Sequence, residues 1–200
     1  MDITVGTIKR ALGYSPLTVK FKKLDDRAVV PFYAHYGDVG MDMTAIDVEY
    51  NKELDLYIYH TGLSFESDFH YGQLLFPRSS NRKTDAYLCN SVGIADSAIY
   101  RGEILFCYKN RDSLETIANN AALKAFMDAV LGGETMETAA IMYNNCKSDV
   151  LARPLDFAPY KVGDKIGQMV MVAYPDVKLE EADALSSSER GANGFGSTGN

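Results

Sequence analysis

The sequence predicts a mainly β protein, a barrel or a jelly roll, and three observations favour this fold class. Short apolar segments recur along the chain, Gly, Pro, Asp and Asn separate them, and only one region shows helical spacing. The 200 residues, 46% of them hydrophobic and 24% charged, have the composition of a globular chain. That length suits one domain, or a domain that carries one large insertion.

Five segments have the pattern of β-strands. Leu17–Leu24 and Leu54–Tyr59 alternate apolar and polar residues, as half-buried strands do. Arg101–Tyr108 alternates as well, and Gly72–Phe76 is followed directly by a proline. Val170–Ala173 is continuously apolar, which predicts a strand buried on both faces. Short strands of this kind favour a barrel or jelly roll over alternating βα units.

The region 111–159 breaks the β pattern and predicts a helical excursion from the β scaffold. A first helix is expected over Ser113–Leu131, with Asp112 or Ser113 as its N-cap, and Gly132-Gly133 ends it. Its apolar stripe recurs at every fourth position: Ile117, Ala121, Ala125 and Ala129. Such a stripe is typical of a helix that packs against a partner helix or the barrel.

A second helix is expected to begin near Thr135, and Pro154 and Pro159 then mark the return to strand. The residues expected on its apolar side are Met136, Ala139, Ala140 and Tyr143. The two helices together define the excursion.

Charge and cysteine content exclude several classes of function. Twenty basic against 27 acidic side chains give a net charge of −7, which argues against binding nucleic acid through bulk charge. Cys89, Cys107 and Cys146 contain no CxxC pair, so no disulfide framework or zinc ribbon is expected and a cytoplasmic location is predicted. No apolar run approaches the ~18–20 residues of a membrane span. Neither a membrane nor a nucleic acid is therefore expected as a direct binding partner.

Polar residues cluster in five segments, most of them at the ends of predicted strands. They are Gly40–Ala45, Phe76–Ser80, Asn90–Glu103, Gly163–Gln168 and the glycine-rich tail over 186–200. In the second segment, Arg78 and two hydroxyls follow a proline, a combination suited to phosphate oxygens. In the tail, Arg190 and Phe195 stand among glycines that let backbone N–H groups approach a polyanion. Each segment alone also fits an ordinary turn or a chain end.

Taken in order, these five segments resemble the five motifs of the homotrimeric dUTPases (dUTP pyrophosphatases). The Asn-Ser-Val-Gly string from Asn90 and the Arg-Gly-x-x-Gly-Phe-Gly-Ser-Thr-Gly string from Arg190 are the most specific parts. The resemblance implies a single jelly-roll domain over 1–200 with a helical insertion at 111–159. It implies a homotrimer whose sites draw on neighbouring subunits, and a C-terminal arm at 186–200 that closes over the nucleotide. The implied reaction is hydrolysis of dUTP to dUMP and pyrophosphate with Mg²⁺.

The same resemblance implies roles for residues around the phosphates. Asp96 matches the aspartate that orients and deprotonates the attacking water, and a positioned base contributes on the order of 10²–10⁴-fold. Asp42 matches the aspartate that meets Mg²⁺ through the water shell of the ion, which suits a cation that dehydrates reluctantly. The implied phosphate contacts are Arg78, Ser79, Ser80 and Gln168. An Asx turn is the structural alternative for Asp96.

Base and sugar selection are implied by the hairpin of the third segment and by the arm. Asn90 and the backbone around Gly93 match the groups that read the uracil edge, and Tyr100 matches the tyrosine beneath the deoxyribose. Core packing is the alternative for Tyr100. Phe195 matches the aromatic that stacks on uracil, and Arg190 matches the contact to the terminal phosphate. Gly196 and Ser197 complete the implied contacts of the arm.

Two departures from the family pattern bear on the site. One extra residue separates Asp96 from Tyr100, so either a β-bulge absorbs it or Tyr100 turns to the wrong face. The excursion at 111–159 is absent from most compact members, and inserts of some viral members bind partner proteins. We therefore expect a viral or mobile-element source, host cytoplasm as the location, and a protein partner for the insertion.

Two alternatives to a plain dUTPase stay open. A dCTP deaminase of the same superfamily shares the barrel and the Arg-Ser-Ser segment, but it uses a glutamate where this chain has Cys107, five positions after Gly102. The second alternative is a regulatory protein that acts through its helical insertion. His35, His60 and His70 match nothing in the family pattern, and their spacing suggests no metal site.

Overall fold

The computed structural model describes residues 17–184 and 186–188, and they form a mainly β structure, as the sequence predicts. The strands in chain order are β1 (Lys20–Lys23), β2 (Met41–Thr44), β3 (Asp47–Asn51), β4 (Leu56–His60), β5 (Leu63–Glu66), β6 (Tyr71–Phe76), β7 (Ala86–Leu88), β8 (Gly93–Ala95), β9 (Leu105–Asn110) and β10 (Lys165–Ala173). Short 3₁₀ helices occupy Ser79–Lys83 and Pro154–Phe157.

Two antiparallel four-stranded sheets enclose one core. Their strand orders are β2-β10-β6-β8 and β3-β4-β9-β7, and β1 pairs with β5 separately. Alternate residues point inward, so Phe106 and Tyr108 of β9 are buried while their neighbours on the strand are not. The core between the sheets includes Met43, Tyr59, Leu63, Ile166 and Met169.

Two of the expected strands differ from the sequence-based assignment. The strand expected over Arg101–Tyr108 begins only at Leu105, because the preceding residues form the connection that runs beneath Tyr100. Val170–Ala173 does lie in β10, but the prediction that it is buried on both faces is wrong for the described chain, where these residues are half-buried or exposed. β2 pairs with β10 only as far as Met169, so beyond that residue β6 is the one strand paired with β10 in the described chain, and one edge of β10 is open.

A bulge in β10 sets the direction of its first side chains. Lys165 pairs with Thr44 and Gly167 pairs with Met43, so one extra residue lies on the β10 side. A Cβ at Gly167 would lie 2.0 Å from the Phe106 ring, and only glycine therefore fits there. The bulge brings Lys165 and Gln168 to the same face despite their odd spacing in sequence.

Strands β9 and β10, which lie in different sheets, are connected through the helices α1 (Leu114–Leu131) and α2 (Met136–Ala152). Ser113, one of the two expected caps, accepts the Thr116 N–H through Oγ at 3.1 Å, and Gly132 ends α1. Thr135 caps α2 in the same way. Neither α1 nor α2, nor any other helix in the described part of the chain, could span a membrane.

The buried faces of the helices are narrower than the expected stripes. In α1 the buried residues are Leu114, Ala118, Ala122 and Ala129, so Ala129 is buried as expected. Ile117, Ala121 and Ala125 are half-buried, and Ala118 and Ala122 are buried in place of the first two. In α2, Ala139 is buried as expected and Tyr143 is half-buried. The assignment was wrong for Met136 and Ala140, which are exposed. The helices pack mainly on each other, and small alanines suffice at that seam.

Buried tyrosines attach the segment after α2 to the barrel. Tyr57 donates through Oη to the Pro154 carbonyl at 3.0 Å, and Tyr59 donates to the Tyr160 carbonyl at 3.0 Å. The rings of Tyr108 and Tyr160 meet at 5.1 Å between centroids. Burial raises the pKa of Tyr57 to about 12, so its hydroxyl stays a donor.

Candidate active site

A cavity of about 240 Å³ lies beside β8 and brings together four of the predicted site residues: Asn90, Gly93, Asp96 and Tyr100. We call it the β8 pocket. The short strand β8 supplies one wall, and the turns before and after it supply the polar groups. Leu75 and Leu105 add apolar surface. Polar groups that converge on a partly apolar cavity are typical of a small-molecule site.

Asp96 lies in a turn that buried serines hold in place. The turn closes through hydrogen bonds from the Ile99 and Tyr100 N–H groups to the Asp96 carbonyl, at 2.9 and 2.7 Å. The next residue, Ser97, is 2% exposed, and its hydroxyl lies 2.5 Å from that of Ser67. The carboxylate of Asp96 itself is exposed at the pocket. The backbone is therefore fixed while the side chain stays accessible.

This turn also accommodates the extra residue between Asp96 and Tyr100. The expected alternatives were a β-bulge or a misdirected Tyr100, and the structure has neither: the added residue is part of the turn, and Tyr100 lines the pocket. Tyr100 is 46% exposed, so core packing does not explain it. Its Oη donates to the Glu103 carbonyl at 3.1 Å. A Cβ at Gly102 would lie 2.2 Å from that oxygen, so glycine is needed beneath the ring.

A second group of predicted residues gathers around Asp42 on β2. Arg78 donates through Nε to Asp42 Oδ1 at 2.9 Å, and Lys165 donates through Nζ to Oδ2 at 2.7 Å. Gln168 contributes a longer contact of 3.4 Å from Nε2. We call these four residues the Asp42 cluster. One negative and two positive side chains give it a net positive charge.

Asp42 is 5% exposed, yet it is stabilised as a carboxylate. Burial alone would raise the pKa of its carboxyl, but the hydrogen bond from Lys165 and the nearby Arg78 guanidinium outweigh this and hold the pKa below its ordinary value. The Lys165 ammonium also lies 5.1 Å above the centre of the Phe32 ring. Lys165 was not among the predicted contacts, because the bulge that turns it toward Asp42 leaves no signal in the sequence.

The donor set of the Asp42 cluster fits an anion rather than a metal held directly by the protein. Both oxygens of Asp42 already accept hydrogen bonds from cationic side chains. Within the described ranges, no group of three or more His, Cys, Asp or Glu side chains could hold an ion. Oxygen-rich anions such as phosphates are the natural ligands of paired Arg and Lys side chains.

The remaining predicted residues divide between a described and an undescribed part of the chain. Ser79 and Ser80 follow Arg78 at the start of a 3₁₀ helix, where Ser79 is exposed and Ser80 half-buried. Arg190, Phe195, Gly196 and Ser197 lie outside the described residues, as does most of the expected arm.

The β8 pocket and the Asp42 cluster lie far apart within the chain. Ala95, the residue before Asp96, pairs with Gln73, whereas Gln168 of the cluster pairs with Phe76. In this register Asp96 would lie opposite Gly72, which is four residues from Phe76 along β6. At about 3.3 Å per residue, Asp96 and Asp42 are therefore about 13 Å apart along the strands. The three strand spacings from β8 to β2 add about 14 Å across the sheet. A single chain therefore does not bring the two groups together.

Fold and site together define a class of protein. It is a β-jelly-roll protein with a polar pocket at one strand and a cationic cluster suited to an anionic ligand at another. No family model matches the chain. The deoxyuridine 5'-triphosphate nucleotidohydrolase of Trichodesmium erythraeum (strain IMS101) is 30% identical over 184 residues, which cover 92% of this chain and 99% of that protein. This chain belongs to the dUTPase family.

Solved phage structures share the fold. The dUTPase of Staphylococcus bacteriophage 80alpha, in a mutant form with dUpNHpp, superposes with a TM-score of 0.61 at 20% identity, over 91% of this chain and 98% of that one. The dUTPase of phage phi11 of S. aureus, described with a species-specific insert, gives 0.55 at 20% identity, over 86% and 99%. A mutant of the phi11 enzyme, described with a structural Mg(II) ion, gives 0.52 at 18% identity, over 84% and 97%.

Proposed function

We propose that this chain hydrolyses dUTP to dUMP and pyrophosphate. The observation that carries the proposal is the β8 pocket, in which Asn90, Gly93, Asp96 and Tyr100 converge. Membership of the dUTPase family supplies the substrate. The deoxyribonucleoside enters this pocket, with Asn90 and the backbone at Gly93 at the uracil edge and Tyr100 against the sugar. A site built to pair uracil rejects cytosine because buried polar groups would be left unpaired.

Asp96 is the proposed general base. Its exposed carboxylate accepts a proton from a water molecule, which attacks the α-phosphorus as pyrophosphate leaves. The turn anchored by Ser97 limits the positions that the carboxylate can adopt, and such positioning is a large part of catalysis in phosphoryl transfer.

The Asp42 cluster is the proposed phosphate site. Arg78 and Lys165 neutralise phosphate oxygens, Gln168 supplies an amide donor, and Ser79 and Ser80 add hydroxyls next to Arg78. Asp42 positions the two cations. Mg²⁺ bound with the nucleotide would supply further charge neutralisation; that Asp42 would meet it through water stays a prediction.

The active site is proposed to form between subunits of a homotrimer. Its support is the separation of about 19 Å between Asp96 and Asp42, worked from the strand register and spacing. A pocket from one subunit and a cluster from its neighbour together supply what a single chain does not. The arm, with Arg190, Phe195, Gly196 and Ser197, is proposed to close over the nucleotide.

Co-expression of two inactive variants tests the shared site. Asp96→Asn damages the pocket and Arg78→Ala damages the cluster. In randomly mixed trimers, a site is intact when its pocket comes from an Arg78→Ala chain and its cluster from an Asp96→Asn chain, which holds for about one quarter of the sites. We expect that fraction of wild-type turnover, measured as pyrophosphate release from dUTP. Asp96→Asn with Asp96→Ala is the matched control and should recover nothing. Mixed oligomers without recovered activity would contradict the proposal.

A nucleotide panel tests the substrate. Pyrophosphate release is expected from dUTP, with little from dCTP, dTTP or UTP. Ammonia release from dCTP would instead indicate the deaminase, for which the structure offers no glutamate at Cys107, a residue on the face of β9 opposite the core. The enzyme is proposed to act in the cytoplasm.

We also propose that 111–159 is an insertion in the jelly-roll domain and provides a surface for a protein partner. Its support is the set of large apolar side chains that the packed helices leave exposed: Leu123, Met127, Leu131, Met136, Ile141 and Met142.

Deletion of the helices tests whether they shape the active site. Leu114 and Val150 belong to one small apolar cluster at the base of the helices. Joining them by a short glycine linker, without 115–149, should preserve dUTP turnover within about threefold, because the β8 pocket lies elsewhere. Loss of turnover in a folded variant would mean that the helices shape the site.

A further inference from the structure

Two cysteines lie directly opposite each other at the end of β7 and within β9. The register of the two strands pairs Tyr87 with Lys109 and Leu88 with Tyr108. The next pair in this antiparallel register is Cys89 with Cys107. The Cys89 N–H donates to the Cys107 carbonyl at 2.9 Å, so the pairing continues one residue beyond β7.

The two thiols share the outer face of the sheet. Leu88 and Tyr108 are buried in the core, and residues next to them along each strand point the other way. Cys89 is exposed and Cys107 is half-buried, and both are free thiols. Reagents in solution therefore have access to Cys89, and its cross-strand neighbour lies next to it.

The strand geometry is within reach of a disulfide. Opposed residues of a hydrogen-bonded antiparallel pair have Cα atoms about 5.5 Å apart, and disulfides span Cα separations of roughly 4.4–6.8 Å. Their Cβ atoms start about 4.5–5.5 Å apart, whereas a disulfide requires about 3.8 Å. Bond formation must therefore draw the end of β7 toward β9 by on the order of 1 Å.

That movement would also displace a residue that lines the β8 pocket. Asn90 follows Cys89 directly, and it lines the pocket together with Leu105, which shares the outer face of β9 with Cys107. The hairpin is already tight, since a Cβ at Gly93 would lie 3.2 Å from Asn90 Nδ2. A shift of Asn90 by about 1 Å is large compared with the tolerance of a catalytic or binding geometry.

We propose that Cys89 and Cys107 form a reversible intrachain disulfide that distorts the β8 pocket and thereby lowers kcat/KM for dUTP. The effect on activity rests on the function proposed above, whereas bond formation does not. Intracellular disulfides, where they occur, are mostly transient and redox-sensing, and exposed ones are the labile ones.

The reaction is a thiol–disulfide exchange with a small disulfide such as oxidised glutathione. The Cys89 thiolate attacks one sulfur of the small disulfide, which releases one thiol and leaves a mixed disulfide. The Cys107 thiolate then attacks Cys89 Sγ and releases the second thiol. Two protein thiols lose two electrons and two protons, and one small disulfide becomes two thiols.

The surroundings set the pH dependence of this exchange. Partial burial raises the pKa of the Cys107 thiol and, although Cys89 is exposed, that of the Cys89 thiol as well, where Lys109 partly offsets the rise. Because the thiolate is the attacking species, the exchange should accelerate as pH rises toward the alkaline range.

Incubation of the full chain with oxidised glutathione tests the proposal. Intact mass should fall by two hydrogens, proteolytic fragments should show Cys89 joined to Cys107, and kcat/KM for dUTP should fall by roughly tenfold or more. Dithiothreitol should restore both. Cys89→Ser and Cys107→Ser should form no internal disulfide and keep their activity, and Cys146→Ser, the matched control, should respond like the wild type.

The outcomes separate the two proposals. A reduced protein that does not hydrolyse dUTP overturns the proposed function, while the mass change still decides the disulfide. An active protein that forms no Cys89–Cys107 bond overturns the inference, and so does a dimer on a non-reducing gel in place of the intrachain bond. A bond that forms without change in kcat/KM overturns the effect on the pocket.

Discussion

Asp42→Asn isolates the contribution of one buried carboxylate to the stability of the barrel. The substitution keeps the size of the side chain and removes its charge. Arg78 and Lys165, which both donate to Asp42 in the structure, would then face each other across a neutral amide. The expected result is a folded but less stable protein.

The magnitude follows from the exposure of the partners. Removing one partner of a fully buried ion pair costs about 3–5 kcal/mol, whereas an exposed pair contributes about 0.2–1 kcal/mol. The side chain of Asp42 is almost wholly buried, but about a third of Arg78 and of Lys165 reaches solvent. We therefore expect a loss between these limits, about 2 kcal/mol. For a domain of this size that lowers Tm by roughly 4–8 °C.

The pH dependence distinguishes a charge effect from a packing defect. The pKa of Asp42 is lower in the folded state than its ordinary 3.8, so its stabilising effect is complete above the unfolded pKa and is lost as pH falls through the folded one. The difference between wild type and Asp42→Asn should be constant from about pH 7 to pH 5 and should shrink by about pH 3.

Urea unfolding measures this difference, and the protein concentration is held fixed because the stability of the proposed trimer would depend on it. Asp128→Asn is the matched control: its pair with Lys124 is exposed, and its loss should cost no more than about 0.5 kcal/mol. An Asp42→Asn protein as stable as wild type at neutral pH, or a deficit that persists undiminished in acid, would refute the reasoning.

Two further substitutions address the site. Lys165→Met should raise KM for dUTP by about tenfold, since a charge-assisted phosphate contact is lost; Lys165→Arg should restore it, and exposed Lys161→Met should match wild type, while an unchanged KM would remove Lys165 from the phosphate site. Gly102→Ala should push the Tyr100 ring aside, lower kcat/KM for dUTP by about 10-fold or more and weaken discrimination against UTP, with less than about 1 kcal/mol lost in urea unfolding. Intact discrimination in the folded variant would mean that Tyr100 does not select the sugar.

Local signals in the sequence were sufficient for much of the fold. Ser113 and the glycines after Leu131 mark both ends of α1, because capping depends on neighbouring residues alone. The buried side of each helix depends on what lies opposite, and this is why Met136 was placed inward although it is exposed. The same applies to Val170–Ala173, whose burial depends on what packs over this end of β10 and not on the residues themselves.

For the candidate site, sequence motifs identified the residues but not their arrangement. Asn90 and Asp96 share a pocket, as a contiguous hairpin segment allows. Lys165 was missed because a bulge decides its direction, and the pairing of Asp42 with two cations required three strands to be placed side by side. The distance between pocket and cluster follows from strand register, which no local pattern encodes.

The tyrosines that attach the segment after α2 to the barrel provide an intrinsic spectroscopic probe of that junction. The chain contains no tryptophan and 13 tyrosines, so tyrosine dominates its near-ultraviolet absorption and emission. Tyr59, Tyr108 and Tyr160 meet edge to face where this segment rejoins the barrel. Near-ultraviolet circular dichroism should therefore register detachment of that junction, without any attached label.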